Sequence, residues 1–388
     1  MSVTAAAGFQ AAGTAAGLKT EGKDLALVVN TGPTRHAAAV FTTNKVAAAP
    51  VLWSRQAISD ARADAVVINS GGANACTGTE GFQDAHATAE HAAQTLGISA
   101  VDVLLASTGL IGERLNMQAV LSGTTTCAEE LNDDDAAGAA AAEAILTTDT
   151  VTKTAVAHGS GFTIGGMAKG AGMLAPGMAT MLSVLTTDAV IDPQDLDAAL
   201  REATRVSFNR ADSDGCMSTN DTVFALASGA HPEADPAGVD LTEFQTALTE
   251  LCQDLARQLI ADAEGAHHQI AIRTVNAATE EEAETAGRAV ARSNLFKTAI
   301  FGQDPNWGRI LSAVGTTDVQ FDPMTIDVAV NGIWVCRAGG IGEDRSLVDL
   351  SGREVEVVID LKSGQAEATI LTNDLTHDYV HENSAYSS

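Results

Sequence analysis

One segment near the middle of the chain combines a lysine, several glycines and a threonine in an order that could support chemistry. Residues 165–182 read Gly-Gly-Met-Ala-Lys-Gly-Ala-Gly-Met-Leu-Ala-Pro-Gly-Met-Ala-Thr-Met-Leu. The pair Ala179-Thr180 follows a glycine- and proline-rich approach and precedes an apolar run. Cleavage between the two would give Thr180 a free α-amine, whose ordinary pKa of about 7.7–8.0 suits it to accept the proton of its own hydroxyl. This interpretation predicts a self-processing nucleophile that needs no histidine.

Three other interpretations compete for the same segment. A phosphate-binding P-loop is excluded because Lys169 is followed by glycine rather than by serine or threonine. A dinucleotide-binding turn matches residues 170–175 literally, but a Pro-Gly pair follows where its helix should run. A glycine-rich surface loop that leads into a strand over 180–186 also fits the composition. The segment by itself therefore leaves the surface loop and the self-processing site open.

Several motifs together resemble a known enzyme family. Residues 167–176 and 179–182 are similar to the processing and active-site segment of the ornithine acetyltransferases, also called glutamate N-acetyltransferases, of arginine biosynthesis. Further motifs that agree with the family, in the same order, are 69–78, 107–112, 147–149, 218–222, 263–265, 302–308 and 382–386. The resemblance extends over about residues 5 to 388 and implies acetyl transfer from N2-acetyl-L-ornithine to L-glutamate through an acetyl ester of Thr180.

The resemblance also implies roles for individual residues. Thr180 would be the nucleophile, and the Thr108 hydroxyl with the Gly109 backbone N–H would form the oxyanion hole. The positions that match the family's substrate-binding residues are Thr147, Lys169, Thr180, Glu264, Asn383 and Ser388. From charge alone, we expect Lys169 to bind the substrate α-carboxylate and Glu264 the ornithine ammonium. Without the resemblance, residues 107–109 would be typical of a strand-ending turn and Glu264 of a solvated helix end.

The family's assembly and substrates enter as expectations too. The resemblance implies a precursor cut between Ala179 and Thr180 into an α chain of 179 residues and a β chain made of the other 209, which assemble as an α2β2 heterotetramer. Its substrates are small molecules, some members also accept acetyl-CoA as donor, and no cofactor is expected.

Two alternatives from other classes remain. A self-processing aminopeptidase of a related family would share the cleavage but pass acyl groups to water, and the Lys169 motif and the C-terminal Asn-Ser-Ala-Tyr argue against it. A non-catalytic, amino-acid-binding regulator with the same fold would have no need of a freed threonine, so an intact Ala179-Thr180 bond would favour it.

Composition narrows the class of protein. The 388 residues include 22 Lys and Arg against 50 Asp and Glu, a formal charge of −28 that argues against nucleic acid as a partner. No stretch approaches the roughly 18 consecutive apolar residues of a membrane span, and five scattered cysteines suggest reduced thiols. The cluster His86-x3-Glu90-His91 has its histidines five apart, on different faces of a helix, so we expect no metal. We expect a cytoplasmic enzyme without membrane contact.

Hydrophobic patterning predicts the elements that position these residues. Short apolar runs at 25–29, 65–68 and 101–105 predict buried strands. Periodicity and capping signals predict helices over about 81–96, 124–146, 192–206, 241–263 and 279–293, of which the fourth begins with the capping-box pattern Thr242-x-x-Gln245 and the fifth with Thr279-x-x-Glu282. Asn331-Gly332 predicts a hairpin, and a second hairpin is expected over 355–372.

These elements predict an α/β fold in which sheets are sandwiched with helices. The resemblance implies the self-processing N-terminal-nucleophile fold of the aminopeptidase and ornithine acetyltransferase type. We expect a catalytic domain over 1–278, built from both chains, and a smaller C-terminal α+β domain over 279–388. Both tyrosines of the chain, Tyr379 and Tyr386, lie in its last ten residues, so we expect the tail to pack over the site.

Overall fold

The protein is described here by a computed structural model that covers four stretches of the chain: residues 2–175, 181–233, 235 and 237–385. The predicted cleavage pair Ala179-Thr180, the tail residue Tyr386 and the predicted binding residue Ser388 lie outside the described residues.

The described chain contains both strands and helices. The strands are β1 (Phe9–Thr14), β2 (Leu25–Asn30), β3 (His36–Phe41), β4 (Ala65–Asn69), β5 (Val103–Ser107), β6 (Lys153–Gly159), β7 (Phe162–Lys169), β8 (Leu182–Thr187), β9 (Thr222–Ala227), β10 (Gln269–Ala277), β11 (Asp327–Val330), β12 (Ile333–Arg337), β13 (Gly340–Ile341), β14 (Glu354–Asp360) and β15 (Ala366–Asn373). The helices are α1 (Ala49–Ala57), α2 (Gly78–Leu96), α3 (Met117–Glu129), α4 (Asp135–Ala144), α5 (Pro193–Arg205), α6 (Leu241–Ala261), α7 (Glu280–Ala291), α8 (Asn294–Phe301), α9 (Trp307–Val314) and α10 (His377–Ala385).

Two sheets packed face to face form the first part of the fold. The first has the order β1-β2-β4-β5 and the second the order β3-β9-β8-β7-β6. Val28, Ile68 and Leu104 of the first sheet pack with Val184 and Phe224 of the second, in one buried apolar cluster. Because successive strand residues face opposite ways, alternate positions of the first sheet pack outward against α2 and α3, and those of the second against α5 and α6. The result is a four-layer helix, sheet, sheet, helix sandwich.

The directions of the strands bring the ends of several strands together at one edge of this sandwich. Strands β4 and β5 are parallel and end side by side at Asn69 and Ser107. In the other sheet, Lys169 ends β7 opposite Leu182, the first residue of β8, and Leu182 also pairs with Thr222, the first residue of β9. The segments that enter or leave these strands therefore meet at this edge.

A third sheet, with the order β13-β12-β11-β14-β10-β15, packs against α7, α8 and α9 around a separate apolar cluster. The predicted Asn331-Gly332 hairpin is confirmed, with positive φ at both residues, between β11 and β12. Strand β10 begins at Gln269 within this sheet, ten residues before the domain boundary predicted at 279. The division into domains stays a prediction.

Three local predictions need correction. The segments over 355–372 do not pair as a hairpin, because β10 lies between β14 and β15 and pairs with both. The helix predicted over 124–146 is two helices, α3 and α4, because the chain turns after α3 and Asp134 caps the N-terminus of α4 by accepting the Ala137 N–H. The N-cap of α6 is Asp240, which accepts the N–H groups of residues 242 and 243, rather than Thr242.

The other predicted helices are present, and the strand predicted over 101–105 corresponds to β5, which begins at Val103 because residues 100–102 form a 3-10 helix. Thr279 caps α7 as predicted, by accepting the Glu282 N–H. The α/β fold class is confirmed. In the part of the chain that the structure describes, no helix has both the length and the apolar character needed to cross a bilayer.

Candidate active site

A pocket lies at the edge where the strand ends meet, and it encloses about 190 Å³. Six of the residues predicted for the site line it together: Thr108, Gly109, Thr147, Lys169, Glu264 and Asn383. They come from positions up to 275 residues apart in sequence, since Thr108 follows β5 and Asn383 lies in α10. The roles predicted for Thr180 and Ser388 fall outside the described residues.

Lys169 is the buried cation of the pocket. It ends β7 with 1% of its surface exposed, and its Nζ donates hydrogen bonds to Thr147 Oγ1 at 2.7 Å and to Thr108 Oγ1 at 3.4 Å. Burial lowers the pKa of Lys169, and the nearby carboxylate of Asp149 opposes that shift. A negatively charged ligand in the pocket would favour the charged form of this lysine in the same way.

A buried carboxylate, Asp149, and a second buried lysine, Lys153, lie next to Lys169, and the carboxylate stabilises its charge. Asp149 Oδ2 lies 3.7 Å from Lys169 Nζ and accepts the Thr147 N–H, while Oδ1 accepts the Gly170 N–H at 2.6 Å. Lys153, with no exposed surface, bridges Asp149 and Asp262 at 2.6 Å each. Burial alone would raise the pKa of Asp149, but the two lysines hold it below its usual range.

The predicted oxyanion residues occupy a turn that needs glycine. Gly109 has φ of +130°, and a Cβ there would lie 2.8 Å from the Gly72 backbone nitrogen. Thr108 is buried, and its backbone N–H is held by the Asn69 carbonyl at 3.0 Å. Asn220, which precedes β9, donates to the Ser107 carbonyl at 2.7 Å and so ties this turn to the other sheet.

Glu264 supplies the carboxylate of the pocket. It follows α6, is 8% exposed, and accepts hydrogen bonds from the Thr148 hydroxyl and the Asn383 amide, both at 2.8 Å. Gly172 makes room for it, because a Cβ on Gly172 would stand 2.6–2.7 Å from the carboxylate atoms. The glutamate is therefore a fixed group rather than the solvated helix end that the bare sequence allows.

Helix α10 of the C-terminal tail packs beside this carboxylate. The Thr376 hydroxyl donates to the Gly265 carbonyl at 2.7 Å, and a Cβ on Gly265 would collide with the backbone of Tyr379. Tyr379 and Asn383 line the pocket from this helix. The described part of the tail thus contributes to the site.

Some pocket residues carry no role in the sequence-based prediction. Thr148 in the pocket wall and Asp149, its neighbour in sequence, belong to the same motif as Thr147, Asn220 belongs to the motif at 218–222, and Asp214 also lines the pocket. Motif membership was a usable signal for the first three. Lys153 lies outside the motifs, and although Asp149 is four residues away, its other partner, Asp262, is 109 residues away.

The arrangement suits a small molecule that carries both charges. A lysine with two hydroxyl groups can bind a carboxylate, and a glutamate held by two hydrogen bonds can bind an ammonium group. Among the residues that the structure describes, no three His, Cys, Asp or Glu side chains are grouped as metal ligands. The fold and pocket define a two-sheet sandwich protein with a site of amino-acid size at its strand ends.

Comparison with known proteins places the chain in a family. The ArgJ family model matches residues 10–388, and the chain belongs to this family. The arginine biosynthesis bifunctional protein ArgJ of Streptomyces coelicolor is 60% identical over 392 residues, and that of Thermobifida fusca is 60% identical over 389, each covering 100% of both chains. The resemblance inferred from the motifs is confirmed.

Solved structures include two similar chains. The ornithine acetyltransferase of Mycobacterium tuberculosis, complexed with ornithine, is 50% identical over 47% of this chain and 96% of its own, with a TM-score of 0.45. The arginine biosynthesis bifunctional protein argJ of Bacillus halodurans is 37% identical over 52% of this chain and 97% of its own, with a TM-score of 0.49.

Proposed function

We propose that this protein is an acyltransferase of arginine biosynthesis that moves an acetyl group from N2-acetyl-L-ornithine to L-glutamate, giving L-ornithine and N-acetyl-L-glutamate. Sequence identity of 60% over the full length of two ArgJ proteins supports the class of reaction. The observation that carries the choice of substrate is the pocket itself, where the buried cation Lys169 and the fixed carboxylate Glu264 line one cavity. Donor and acceptor both carry an α-carboxylate, and the donor, whose α-nitrogen is acetylated, carries a single cation at the end of its side chain.

The reaction runs through two half-reactions on Thr180. Its hydroxyl oxygen attacks the acetamide carbonyl carbon while its α-amine accepts the hydroxyl proton. The negative charge on the carbonyl oxygen is stabilised by the Thr108 hydroxyl and the Gly109 N–H, and collapse breaks the C–N bond as the ornithine nitrogen takes the proton. Glutamate then attacks the acetyl ester through its amine, restores the threonine hydroxyl and leaves as N-acetylglutamate. The kinetics are ping-pong.

Charge determines how each substrate is oriented. The α-carboxylate common to donor and acceptor binds Lys169, whose hydrogen bonds to Thr147 and Thr108 keep its ammonium group at the pocket wall. The side-chain ammonium of ornithine binds Glu264, which the Thr148 hydroxyl and the Asn383 amide hold in place. Ser388 completes the set of binding residues.

Maturation and assembly are part of the same proposal. The precursor cleaves itself between Ala179 and Thr180, and the two chains remain together as an α2β2 heterotetramer in the cytoplasm. The enzyme works without a bound cofactor. Acetyl-CoA is a second donor, a use that the word bifunctional in the names of its relatives supports.

Intact mass and N-terminal sequencing of the purified protein test the proposal, together with a transfer assay. We expect two fragments, one beginning at Thr180, and glutamate-dependent release of ornithine from acetylornithine. Thr180→Ala should remain a single inactive chain, whereas Thr187→Ala, which alters a hydroxyl at the far end of β8, should still cleave. An uncleaved chain that transfers acetyl groups would refute the mechanism, and release of acetate without glutamate would indicate the aminopeptidase-like alternative.

A further inference from the structure

Asp221 is a buried acid at the start of β9 that the mechanism above does not use. The side chain has no exposed surface, and its Oδ1 accepts the backbone N–H of Met181 at 3.0 Å. That nitrogen belongs to the peptide group that joins residue 181 to Thr180. On the backbone side, the Thr222 N–H donates to the Met181 carbonyl at 3.1 Å. Residues 221 and 222 therefore hold both polar groups of Met181, the residue bonded to the proposed nucleophile.

A carboxylate at the far end of β8, the strand that begins next to Met181, shows what a structural role looks like. Asp188 follows β8, is 2% exposed, and uses both oxygens: Oδ1 accepts the Thr163 N–H at 2.6 Å and Oδ2 the Ala7 N–H at 3.0 Å. Asp221 uses only one. Its Oδ2 is buried and makes no hydrogen bond with any residue in the described ranges. Buried carboxylate oxygens rarely lack a partner in a purely structural position.

The surroundings of Asp221 favour its neutral form. Burial raises its pKa well above the usual value, although the Met181 N–H and the Lys169 ammonium act in the opposite direction. The charge state matters for the proposed nucleophile, because a negative charge close to an amine raises the pKa of that amine and keeps it protonated. A neutral acid can hold the peptide without hindering the α-amine as a base.

We propose that Asp221 is a positioning residue for the nucleophile: by holding the Met181 N–H, it fixes the peptide group through which Thr180 is attached to β8, both during self-cleavage and during acetyl transfer. This inference rests on the proposed function, since it assigns the support of the same nucleophile. Asp221 itself does not line the pocket, whereas its neighbour Asn220 does. The residue is thus expected to affect the reaction rate and not the binding of substrate.

Three variants separate this role from general stability. Asp221→Asn keeps a neutral side chain with an oxygen that can accept the Met181 N–H. Asp221→Leu keeps the branched shape but removes the acceptor. Asp188→Leu is the matched control, since it makes the same change to a buried acid at the opposite end of β8. For each, we would measure the rate of precursor cleavage by intact mass, kcat and KM for acetylornithine, the pH profile of kcat/KM, and the midpoint of thermal unfolding.

The expected pattern is specific. Asp221→Asn should cleave and turn over within about threefold of the unchanged protein, with the same acidic limb in its pH profile. Asp221→Leu should slow cleavage and lower kcat at least tenfold with KM within about twofold. Asp188→Leu should lower the unfolding midpoint by a similar amount without that loss of rate.

Two results would overturn the inference. If Asp221→Leu cleaves and turns over as fast as Asp188→Leu, the carboxyl group has only a structural role. If Asp221→Asn is as slow as Asp221→Leu, a hydrogen-bond acceptor without charge is not enough. Both differ from failure of the proposed function, which would appear as an unchanged protein that neither cleaves nor transfers acetyl groups.

Discussion

Gly172 offers a direct test of how the pocket binds the donor, because alanine at this position should displace Glu264 without straining the backbone. Its φ lies outside the left-handed region, so alanine can adopt the same conformation. The added Cβ would stand 2.6 Å from one carboxylate oxygen and 2.7 Å from the other, too close to be accommodated. The side chain must move, which disturbs its hydrogen bonds to Thr148 and Asn383.

The size of the effect follows from the interaction between Glu264 and the substrate ammonium, which the displaced side chain no longer makes. A hydrogen bond to a charged group contributes about 1.5–3 kcal/mol. Loss of one such interaction with the substrate ammonium corresponds to a rise of about 10- to 100-fold in KM for acetylornithine. Because the oxyanion turn is formed by other residues, we expect kcat to change by less than about threefold. Steady-state transfer assays over a range of acetylornithine concentrations measure both quantities.

Two controls make the test decisive. Gly352→Ala adds the same methyl group where no atom lies within 4 Å, so it should leave KM unchanged. In a Glu264→Ala background the obstacle is gone, so Gly172→Ala should have little further effect. A KM that stays at its original value in Gly172→Ala, or that rises equally with and without Glu264, would refute the argument.

Three further predictions concern the site and its support. Gly109→Ala should lower kcat at least tenfold, since it places a Cβ 2.8 Å from the Gly72 nitrogen at a φ of +130°, and turnover of the cleaved fraction measures it. Asp149→Asn should lower the free energy of unfolding by about 3–5 kcal/mol, measured in urea near pH 7. Because the pKa of Asp149 is depressed in the folded protein, its stabilising contribution is present above about pH 4 and is lost as the pH falls through the folded pKa. The stability of the variant should therefore depend less on pH in that acidic range. Burial lowers the pKa of Lys297 to about 8, so the unfolded chain binds more protons than the folded protein between about pH 8 and 10.5. The free energy of unfolding should therefore rise across that window by on the order of 2–3 kcal/mol more than in Lys297→Met. Equal pH dependence in both proteins would contradict this.

Local patterns in the sequence were sufficient to predict strands and turns that form from neighbouring residues. The apolar runs at 25–29 and 65–68 correspond to β2 and β4, and the Asn331-Gly332 turn to its hairpin. A strand partner from far along the chain leaves no such signal. Strand β10 enters the third sheet between β14 and β15 from about 80 residues upstream, so pairing those two by proximity gave the wrong hairpin.

The site divides in the same way. The motifs indicated Thr108, Thr147, Lys169, Glu264 and Asn383, and the structure brings all five to one pocket. The supporting charges could not be predicted, because Lys153 and Asp262 become partners only when β6 and the end of α6 are packed together. Likewise, nothing in the sequence distinguishes the two buried acids at the ends of β8.

The order of strands in the second sheet has a consequence for a chain that is cut before β8. Strands β3, β6 and β7 precede the predicted cut, whereas β8 and β9 follow it, and they interleave as β3-β9-β8-β7-β6. Two ladders of backbone hydrogen bonds, β3 with β9 and β7 with β8, would then run between separate polypeptides. Neither product contains all the strands of this second sheet, so their separation would require the sheet to unfold rather than a surface contact to dissociate. Dilution should therefore leave the two products together, and expression as two separate halves should succeed only if both are present while the sheet forms.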